Sequence, residues 1–352
     1  MNTISSMSAS LRAGAVMILL PALAAVLGGC RDGREPAGAG ASASAAAEAG
    51  AGAAAAALPA VIRLDYANWS PISLVLRSQG FLEQEFAADG VQVEWVFSQG
   101  SNKSMEFLRS ASIDIGSSAG VAALISFANG NPIETVYIST TPEWTALLTA
   151  PGSGITTLEG LRGRSIAATP GTDPYVFMIR SLSLAGLTLD DVSVVTLQHP
   201  DGKNELMRGR VDAWAGLDPL MAQAELEGAA YLYRNVAYNT FNVISVRREF
   251  ARAYPEAVTR VLRAYEQARS WARAHPREYL ELVVSAARLT AEVGRLLLER
   301  TALEDAAPGA KLRATLLESG RELQKSGVIR ADADVGQLLE QLLVGSYFEA
   351  LQ

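Results

Sequence analysis

The sequence predicts an α/β protein made of two similar lobes with a ligand-binding cleft between them. Between residues 61 and 247, short β-rich segments alternate with helical ones, a pattern typical of largely parallel sheets flanked by helices. A motif around Asp114 returns around Asp212, with a helix end, a short apolar strand and a polar turn in the same order. Because one unit occurs twice, about 100 residues apart, we expect two lobes.

The composition excludes several classes of protein. A net charge of −7 without a dense Lys/Arg cluster argues against nucleic-acid binding. One cysteine excludes an internal disulfide and a thiolate metal cage. The two histidines, His199 and His275, lie far apart in the sequence, which argues against a histidine-rich metal site or relay. We therefore expect no metal, cofactor or nucleic-acid partner.

The amino terminus predicts a lipoprotein signal peptide over residues 1–29. Arg12 precedes an uncharged apolar run, and the sequence Leu-Gly-Gly-Cys that ends at Cys30 resembles a bacterial lipobox. The resemblance implies lipidation of Cys30 and cleavage before it, so that acyl chains anchor the protein to a membrane on the periplasmic or extracytoplasmic side. The alternative is an ordinary signal peptide that is cleaved elsewhere.

Residues 30–58 are predicted to be a disordered tether. They consist almost entirely of Ala, Gly and Ser with a few charges. Without bulky apolar side chains, such a segment has nothing to bury against the entropy cost of ordering. We expect the folded part to begin near Leu58.

The first lobe is predicted to contain residues 59–142 together with 243–352. Strands at 61–66, 91–97, 113–115 and 133–139 alternate with helices, and several strand ends carry small polar residues that begin a helix. Free backbone N–H groups and the helix dipole favour an anionic oxygen at such ends. The residues in question are Ser101, Asn102, Ser117 and Ser118, and the alternative for each is plain N-capping.

The second lobe is predicted to contain residues 143–242. Strands are expected at 146–150, 165–168 and 192–197, a turn at 199–202, and a return across 237–242. Asp173 suits a cap and Pro174 the first helical position, which predicts a helix over 175–185. From residue 248 onward the pattern is helical, and His275 before Pro276 is expected to lie exposed at a helix end.

Six short motifs resemble the periplasmic solute-binding proteins of the sulfonate, taurine and nitrate importers of the ABC class. They occur in the family's order over about residues 60–275. The resemblance implies a type II two-lobed periplasmic-binding-protein fold that closes like a hinge, with a helical C-terminal part. The motifs are VQVEWV at 91–96, SIDIG at 112–116, GNPI at 130–133, LEGLRG at 158–163, VDAWA at 211–215 followed by Asp218-Pro219, and YPEAV at 254–258.

The resemblance also implies a ligand pocket in the cleft. The serines and the amides of residues 100–102 are expected to bind an anionic head group. Asp218 is expected either to accept from the ligand or to cap a helix, and Trp69, Trp144 and Trp214 to form either an apolar wall or core. The matching positions are Trp69, Ser70, Gln99, Gly100, Ser101, Ser117, Ser118, Thr172, Asp173, Trp214 and Asp218.

Two residues depart from the family's pattern. Asp173 stands where family members often carry a neutral Ser or Thr, and Pro174 removes one amide donor. Neither change favours a doubly charged anion, and a carboxylate beside the pocket suits a zwitterion, a cation or a neutral aromatic ligand. Lys103, the nearest counter-charge, is expected on a solvated helix face.

The leading functional hypothesis is a lipid-anchored, monomeric binding protein that is not an enzyme. It would bind a sulfonate, taurine-like or nitrate-like ligand and deliver it to an ABC permease and its ATPase. One alternative is a binding protein of the same fold for a pyrimidine, a thiamine precursor or an aromatic acid. Others are an enzyme of thiamine-pyrimidine or menaquinone synthesis, and a sensing subunit that signals to a membrane partner.

Overall fold

The computed structural model describes residues 58–303 and 306–351, which form two sheets flanked by helices. The predicted signal peptide, the lipidation site Cys30 and the tether lie outside the described residues. No helix of the described part combines the length and apolarity needed to cross a membrane. The strands are β1 (Val61–Tyr66), β2 (Gln92–Phe97), β3 (Ile115–Ala119), β4 (Ile133–Pro142), β5 (Thr145–Thr149), β6 (Ser165–Ala168), β7 (Ser193–Thr196), β8 (Ala213–Leu217), β9 (Ala230–Tyr233), β10 (Asn242–Arg247) and β11 (Thr301–Ala302).

The strands form one sheet of six and one of five. The six-stranded sheet has the order β11-β4-β10-β3-β1-β2, and with its helices we call it the first lobe. The five-stranded sheet has the order β7-β6-β8-β5-β9, and with its helices we call it the second lobe. The chain passes from the first sheet to the second through residues 143–144 and returns through residues 234–241.

Both sheets are mixed, whereas the strand–helix alternation predicts parallel ones. Strand β10 pairs antiparallel with β3 and β4, and β5 pairs antiparallel with β8 and β9. A parallel neighbour requires a crossover connection, usually a helix. Strands β5 and β10 each enter directly from the other lobe without one, so they run opposite to their neighbours.

The helices cover the sheets and make up most of the C-terminal part. Helix α6 begins at His199, so the predicted turn over 199–202 is wrong: Pro200 occupies the first turn of the helix, where its missing N–H costs nothing. The helices are α1 (Pro71–Gln79), α2 (Phe81–Phe86), α3 (Ser101–Arg109), α4 (Gly120–Ala128), α5 (Asp173–Leu184), α6 (His199–Met207), α7 (Leu220–Leu226), α8 (Arg248–Ala253), α9 (Pro255–Ala274), α10 (Pro276–Ala287), α11 (Ala291–Glu299), α12 (Ala310–Lys325), α13 (Val335–Leu342) and α14 (Ser346–Glu349).

The two aspartates of the internal repeat hold equivalent positions in the two sheets. The carboxylate of Asp114 accepts the Arg63 N–H at 3.0 Å, and the Asp114 N–H donates to the Arg63 carbonyl at 2.8 Å. Asp212 forms the same pair of bonds with Ser165, at 2.8 and 3.0 Å. Asp114 thus binds the backbone of β1, and Asp212 binds the backbone of β6, the parallel neighbours of β3 and β8. The repeat in sequence therefore corresponds to a repeat in hydrogen bonding.

The C-terminal helices pack on the first sheet and also contact the second lobe. Helix α9 buries an apolar stripe with Val258, Val261 and Tyr265 against the first sheet. Helices α12 and α13 pack beside α4, with Leu312 and Leu339 fully buried. Helix α11 touches α7, and α12 touches α5. The C-terminal part therefore contacts the second lobe at two places.

Candidate functional site

Gly100 of the first lobe and His199 of the second lie against each other. Gly100 is the N-cap of α3 in the first lobe, and His199 is the first residue of α6 in the second. A Cβ added to Gly100 would lie 3.2 Å from Cδ2 and 3.3 Å from Nε2 of the His199 ring. It would also lie 2.9 Å from Oδ1 of Asn102. A side chain at position 100 would therefore hold the lobes apart.

The N-terminus of α3 keeps free donors at this boundary. The N–H groups of Lys103 and Ser104 donate to the Gly100 carbonyl, and Ser101 Oγ accepts the Ala119 N–H at 2.9 Å. Among the described residues, no protein acceptor lies within hydrogen-bonding distance of the N–H groups of Ser101 and Asn102. Such a helix end favours an anionic oxygen. The preceding Gln99 is exposed.

The N-terminus of α4, in contrast, is occupied by the returning chain. The Thr240 carbonyl accepts the Gly120 N–H at 3.1 Å, and Thr240 Oγ1 accepts the Val121 N–H at 3.0 Å. The nearby Ser118 hydroxyl donates to the Ala119 carbonyl at 3.1 Å. These backbone donors are therefore already satisfied within the protein.

Asp65, which the sequence analysis did not single out, takes both donors of Ser117. Its carboxylate accepts the Ser117 N–H at 2.7 Å and the Ser117 hydroxyl at 3.0 Å. It also accepts the Ser98 hydroxyl at 2.7 Å. Burial raises the pKa of Asp65, and the bonds from Ser98 and Ser117 oppose that shift. The structure thus assigns Ser117 to the packing of β1 against β3 and not to an anion.

Asp173 is held by the two segments that connect the lobes. Its carboxylate accepts the Trp144 indole N–H at 2.7 Å, the Thr240 N–H at 3.0 Å and the Thr240 hydroxyl at 2.8 Å. Burial raises its pKa, and these bonds oppose the shift. This carboxylate ties α5 to the connecting segments, and the expected contact with a zwitterion or cation stays a prediction. The adjacent Thr172 hydroxyl donates to the Thr169 carbonyl at 2.6 Å.

Trp69 and Trp144 pack together in a buried apolar cluster that joins residues of both lobes. The rings of Trp69 and Trp144 meet edge-on, with centroids 5.5 Å apart and planes at 76°. They pack with Ala67, Ala119, Ala122 and Leu217. The Trp69 indole N–H is buried without a partner. Beside it, Ser70 Oγ accepts from the Asn242 amide at 2.8 Å.

Trp214 and Asp218 do not belong to the cluster that Trp69 and Trp144 form. Trp214 is 1% exposed in the apolar core between β8 and α6, and a Cβ at Gly202 would lie 2.7 Å from its indole nitrogen. Asp218 accepts the Ala222 N–H at 2.9 Å and contacts the Arg300 guanidinium at 3.2 Å. Trp214 is thus engaged in packing and Asp218 in an ion pair, and a ligand contact of either residue stays a prediction.

His199, like Asp65, is a residue whose position at this boundary the sequence did not predict. It is 1% exposed, its Nδ1 lies 3.3 Å from Thr169 Oγ1, and its Nε2 is buried without a partner. Burial lowers its pKa to about 4. Pro200 could have indicated the beginning of a helix here, because proline is favoured in the first turn of a helix. The prediction of a turn over residues 199–202 excluded that interpretation.

We call Trp69, Gly100, Ser101, Asn102 and His199 the cleft site. A cavity of about 250 Å³ lined in part by Asn102 and Ala122 of the first lobe and Gly171 of the second opens beside it. The site offers amide and indole donors, an imidazole and buried indole rings. The Thr169 hydroxyl beside His199 donates to the Leu197 carbonyl at 2.6 Å.

Comparison with known proteins gives a family match and several structural neighbours. The family model described as NMT1/THI5 like matches residues 75–279. A putative aliphatic sulfonates-binding protein of Escherichia coli (strain K12) is 25% identical over 240 residues, covering 67% of this chain and 74% of the relative.

Two solved structures illustrate the likeness of fold. The alkanesulfonate-binding protein SsuA from Xanthomonas axonopodis pv. citri bound to MOPS is 21% identical with a TM-score of 0.75, covering 82% of this chain and 100% of that one. The desulfurization enzyme DSZB is 15% identical with a TM-score of 0.62, covering 83% and 99%. These structures confirm the predicted two-lobed fold, which carries both binding proteins and an enzyme.

Proposed function

Because the chain belongs to the NMT1/THI5-like family, we propose that it is the substrate-binding component of an ABC-class importer and binds a sulfonate in the cleft between its lobes. Membership confirms the family that the sequence motifs predict. The relative named above is described as sulfonate-binding, and the SsuA structure holds MOPS, itself a sulfonate. A permease and its ATPase are the partners that such a component requires.

The observation that carries this proposal is the free N-terminus of α3. The N–H groups of Ser101 and Asn102 and the indole N–H of Trp69 supply donors that the protein itself does not use. Hydrogen bonds to a charged group contribute roughly 1.5–3 kcal/mol each. Three of them, together with closure of the cleft, reach the order of −8 kcal/mol that corresponds to micromolar binding.

The arrangement favours a singly charged head group with an apolar substituent. The amides at the start of α4 are engaged by Thr240, so one helix end remains for the anion. The paired rings of Trp69 and Trp144 offer a surface for a carbon chain. An alkanesulfonate has both parts, whereas nitrate has no substituent to place against the indoles.

A taurine-like ligand is the second candidate. Oδ1 of Asn102 and Oδ1 of Asn242 are buried without partners, and both are acceptors. An ammonium group on the substituent would satisfy such an acceptor. Because Asp173 is already engaged, an amine would be held by these neutral oxygens and not by a carboxylate.

Calorimetric titration of the protein with a panel of ligands tests the function. We expect micromolar affinity for an alkanesulfonate or taurine and much weaker binding of nitrate, sulfate, pyrimidines and aromatic acids. Trp69→Phe should weaken sulfonate binding about tenfold, since one hydrogen bond to a charged group is lost. Trp271→Phe, which alters an indole stacked on His275, should bind as the wild type does. Binding of pyrimidines alone, or of no sulfonate, would overturn the proposal.

We also propose that the protein is a lipoprotein outside the cytoplasm, on the strength of the lipobox-like sequence that ends at Cys30. Replacing Cys30 with alanine should release the protein from membranes into the soluble fraction, because the acyl chains can no longer be attached. Membrane fractionation followed by immunoblotting measures the outcome. Unchanged retention of Cys30→Ala in the membrane fraction would contradict lipid anchoring.

A further inference from the structure

His199 is placed to touch a ligand that is bound by the opposite lobe. It begins the nine-residue helix α6, and its ring lies against Gly100 at the N-terminus of the nine-residue helix α3. Its Nε2 is the unpartnered atom of a side chain that is 1% exposed. A buried polar atom without a partner carries a desolvation cost, which a ligand contact would remove.

The surroundings of Nδ1 fix which nitrogen carries the proton. The Thr169 hydroxyl donates to the Leu197 carbonyl at 2.6 Å, which leaves its oxygen as an acceptor towards His199. At 3.3 Å, Nδ1 therefore holds the hydrogen and donates to Thr169 Oγ1. In the neutral ring, Nε2 is consequently an acceptor that faces the first turn of α3.

A neutral His199 weakens the binding of an anion at this helix end. Sulfonate oxygens are acceptors only, so a lone pair on Nε2 repels them. A proton taken from solvent onto Nε2 turns the contact into a charge-assisted hydrogen bond, while Nδ1–H keeps its bond to Thr169. No covalent step is involved, and the proton returns to solvent when the ligand leaves.

Charged side chains on the neighbouring elements do not account for the state of His199. Burial is the one cause of its lowered pKa. On α6, Lys203 pairs with Glu227 beyond the end of α7 at 2.5 Å, and Asp201 is exposed. On α3, Lys103 pairs with Glu106 at 2.7 Å. An anion bound at this point would therefore be the first charge to oppose the effect of burial on the ring.

We propose that His199 is the second lobe's contact to the anionic head group and takes up one proton when that group binds at the N-terminus of α3. This inference rests on the proposed sulfonate function and deepens it. It makes His199 a specificity-determining residue, because a ligand whose head group is a donor would instead bind the neutral ring without proton uptake.

The consequence is an affinity that depends on pH although the charge of the ligand does not. Between the pKa of the free protein, about 4, and the higher pKa in the complex, affinity rises up to tenfold for each pH unit of acidification. If the complex restores the ordinary histidine pKa of about 6.5, the dissociation constant of ethanesulfonate falls roughly tenfold from pH 8 to pH 5.5.

Calorimetric titration with ethanesulfonate in two buffers of different ionisation enthalpy measures both affinity and proton uptake. At pH 5.5 we expect nearly one proton per ligand for the wild type. His199→Gln, whose amide can donate but does not titrate, should show a flat pH profile and no uptake. His275→Gln removes the other, exposed histidine and should behave as the wild type does.

Nuclear magnetic resonance follows the protonation of His199 in the wild-type protein, and a variant is needed only to assign its signals. The chain has two histidines, so His275→Gln assigns both imidazole signals. The His199 signal should titrate near pH 4 in the free protein and well above pH 5.5 in the ethanesulfonate complex. An unchanged titration in the complex, or zero proton uptake with tight binding, would overturn the role of His199 and leave the sulfonate function intact. No binding of any sulfonate at any pH would overturn both.

Discussion

Replacing Arg300 with methionine should lower the free energy of unfolding by about 3–5 kcal/mol at pH 8. Arg300 follows α11 and reaches the second lobe, where its guanidinium contacts the Asp218 carboxylate at 3.2 Å and also pairs with Glu225. The Asp218 side chain is fully buried and that of Arg300 is 9% exposed. Without the guanidinium, a buried carboxylate is left uncompensated, which costs more than the pair contributes.

The effect of Arg300→Met should depend on pH with a definite sign. Burial, which outweighs the attraction of Arg300, raises the pKa of Asp218 to about 6. A raised carboxyl pKa contributes stability that is present below the ordinary value near 4 and is lost as pH rises through the folded value. Removing Arg300 raises that pKa further, so the variant should lose most stability at pH 8 and less at pH 5, where the carboxyl is protonated.

Urea unfolding at pH 5 and pH 8 measures this effect, and two further variants control it. Adding Asp218→Asn to Arg300→Met should restore part of the stability at pH 8, because no charge is then buried. Arg277→Met, which removes an exposed arginine paired with Glu281, should change stability by less than about 1 kcal/mol. An equal loss at both pH values would show that the carboxylate is not the origin of the effect.

Replacing Gly100 with valine should weaken ethanesulfonate binding by about 10–100-fold. The branched side chain would meet the His199 ring at a point where a Cβ alone lies 3.2 Å away. If the ligand is bound by closure of the lobes, as proposed, apparent affinity falls with the population of the closed state. A steric penalty of about 1.4–2.8 kcal/mol on closure then gives a loss of this size. Gly100→Ala should show a smaller loss, since the neighbours need to shift by only a few tenths of an ångström.

Titration calorimetry measures the binding of these Gly100 variants, and thermal unfolding without ligand separates closure from folding. The unfolding temperature should change little, because opening of the cleft relieves the contact. Gly160→Val provides the matched control, since a Cβ added to this exposed glycine would have its nearest neighbour atom at 3.4 Å, on Ile155, and the residue is not part of the cleft site. Wild-type affinity in Gly100→Val would refute the proposal that the ligand is bound by closure of the lobes at this point.

The fold class was predictable from the sequence because its signals are local. Strand–helix alternation and the repeated aspartate motif are each contained in short stretches of chain. The antiparallel placement of β5 and β10 was not predictable from the sequence, because it depends on how the chain enters a sheet from the other lobe. The composition of residues 199–202 is typical of a turn, and for that reason the start of α6 was not predicted. Pro200 lies in the first turn of that helix.

The candidate site was predictable only where it is built from one helix end. Residues 100–102 were found because a helix start leaves free N–H groups whatever surrounds it. The partners that engage Asp173, Asp218 and Ser117 lie 67, 82 and 52 positions away along the chain. No local pattern reveals such partners. The burial of His199 likewise depends on the opposing lobe.

The edge-on indole pair makes the cleft visible to intrinsic fluorescence. Of the five tryptophans, Trp144 has its N–H fixed on Asp173, whereas the buried N–H of Trp69 has no partner. A sulfonate oxygen that accepts this hydrogen would stabilise the excited state of Trp69 and shift its emission to longer wavelength. The pair therefore supplies the protein with its own optical reporter of occupancy, which responds to the head group without any attached dye.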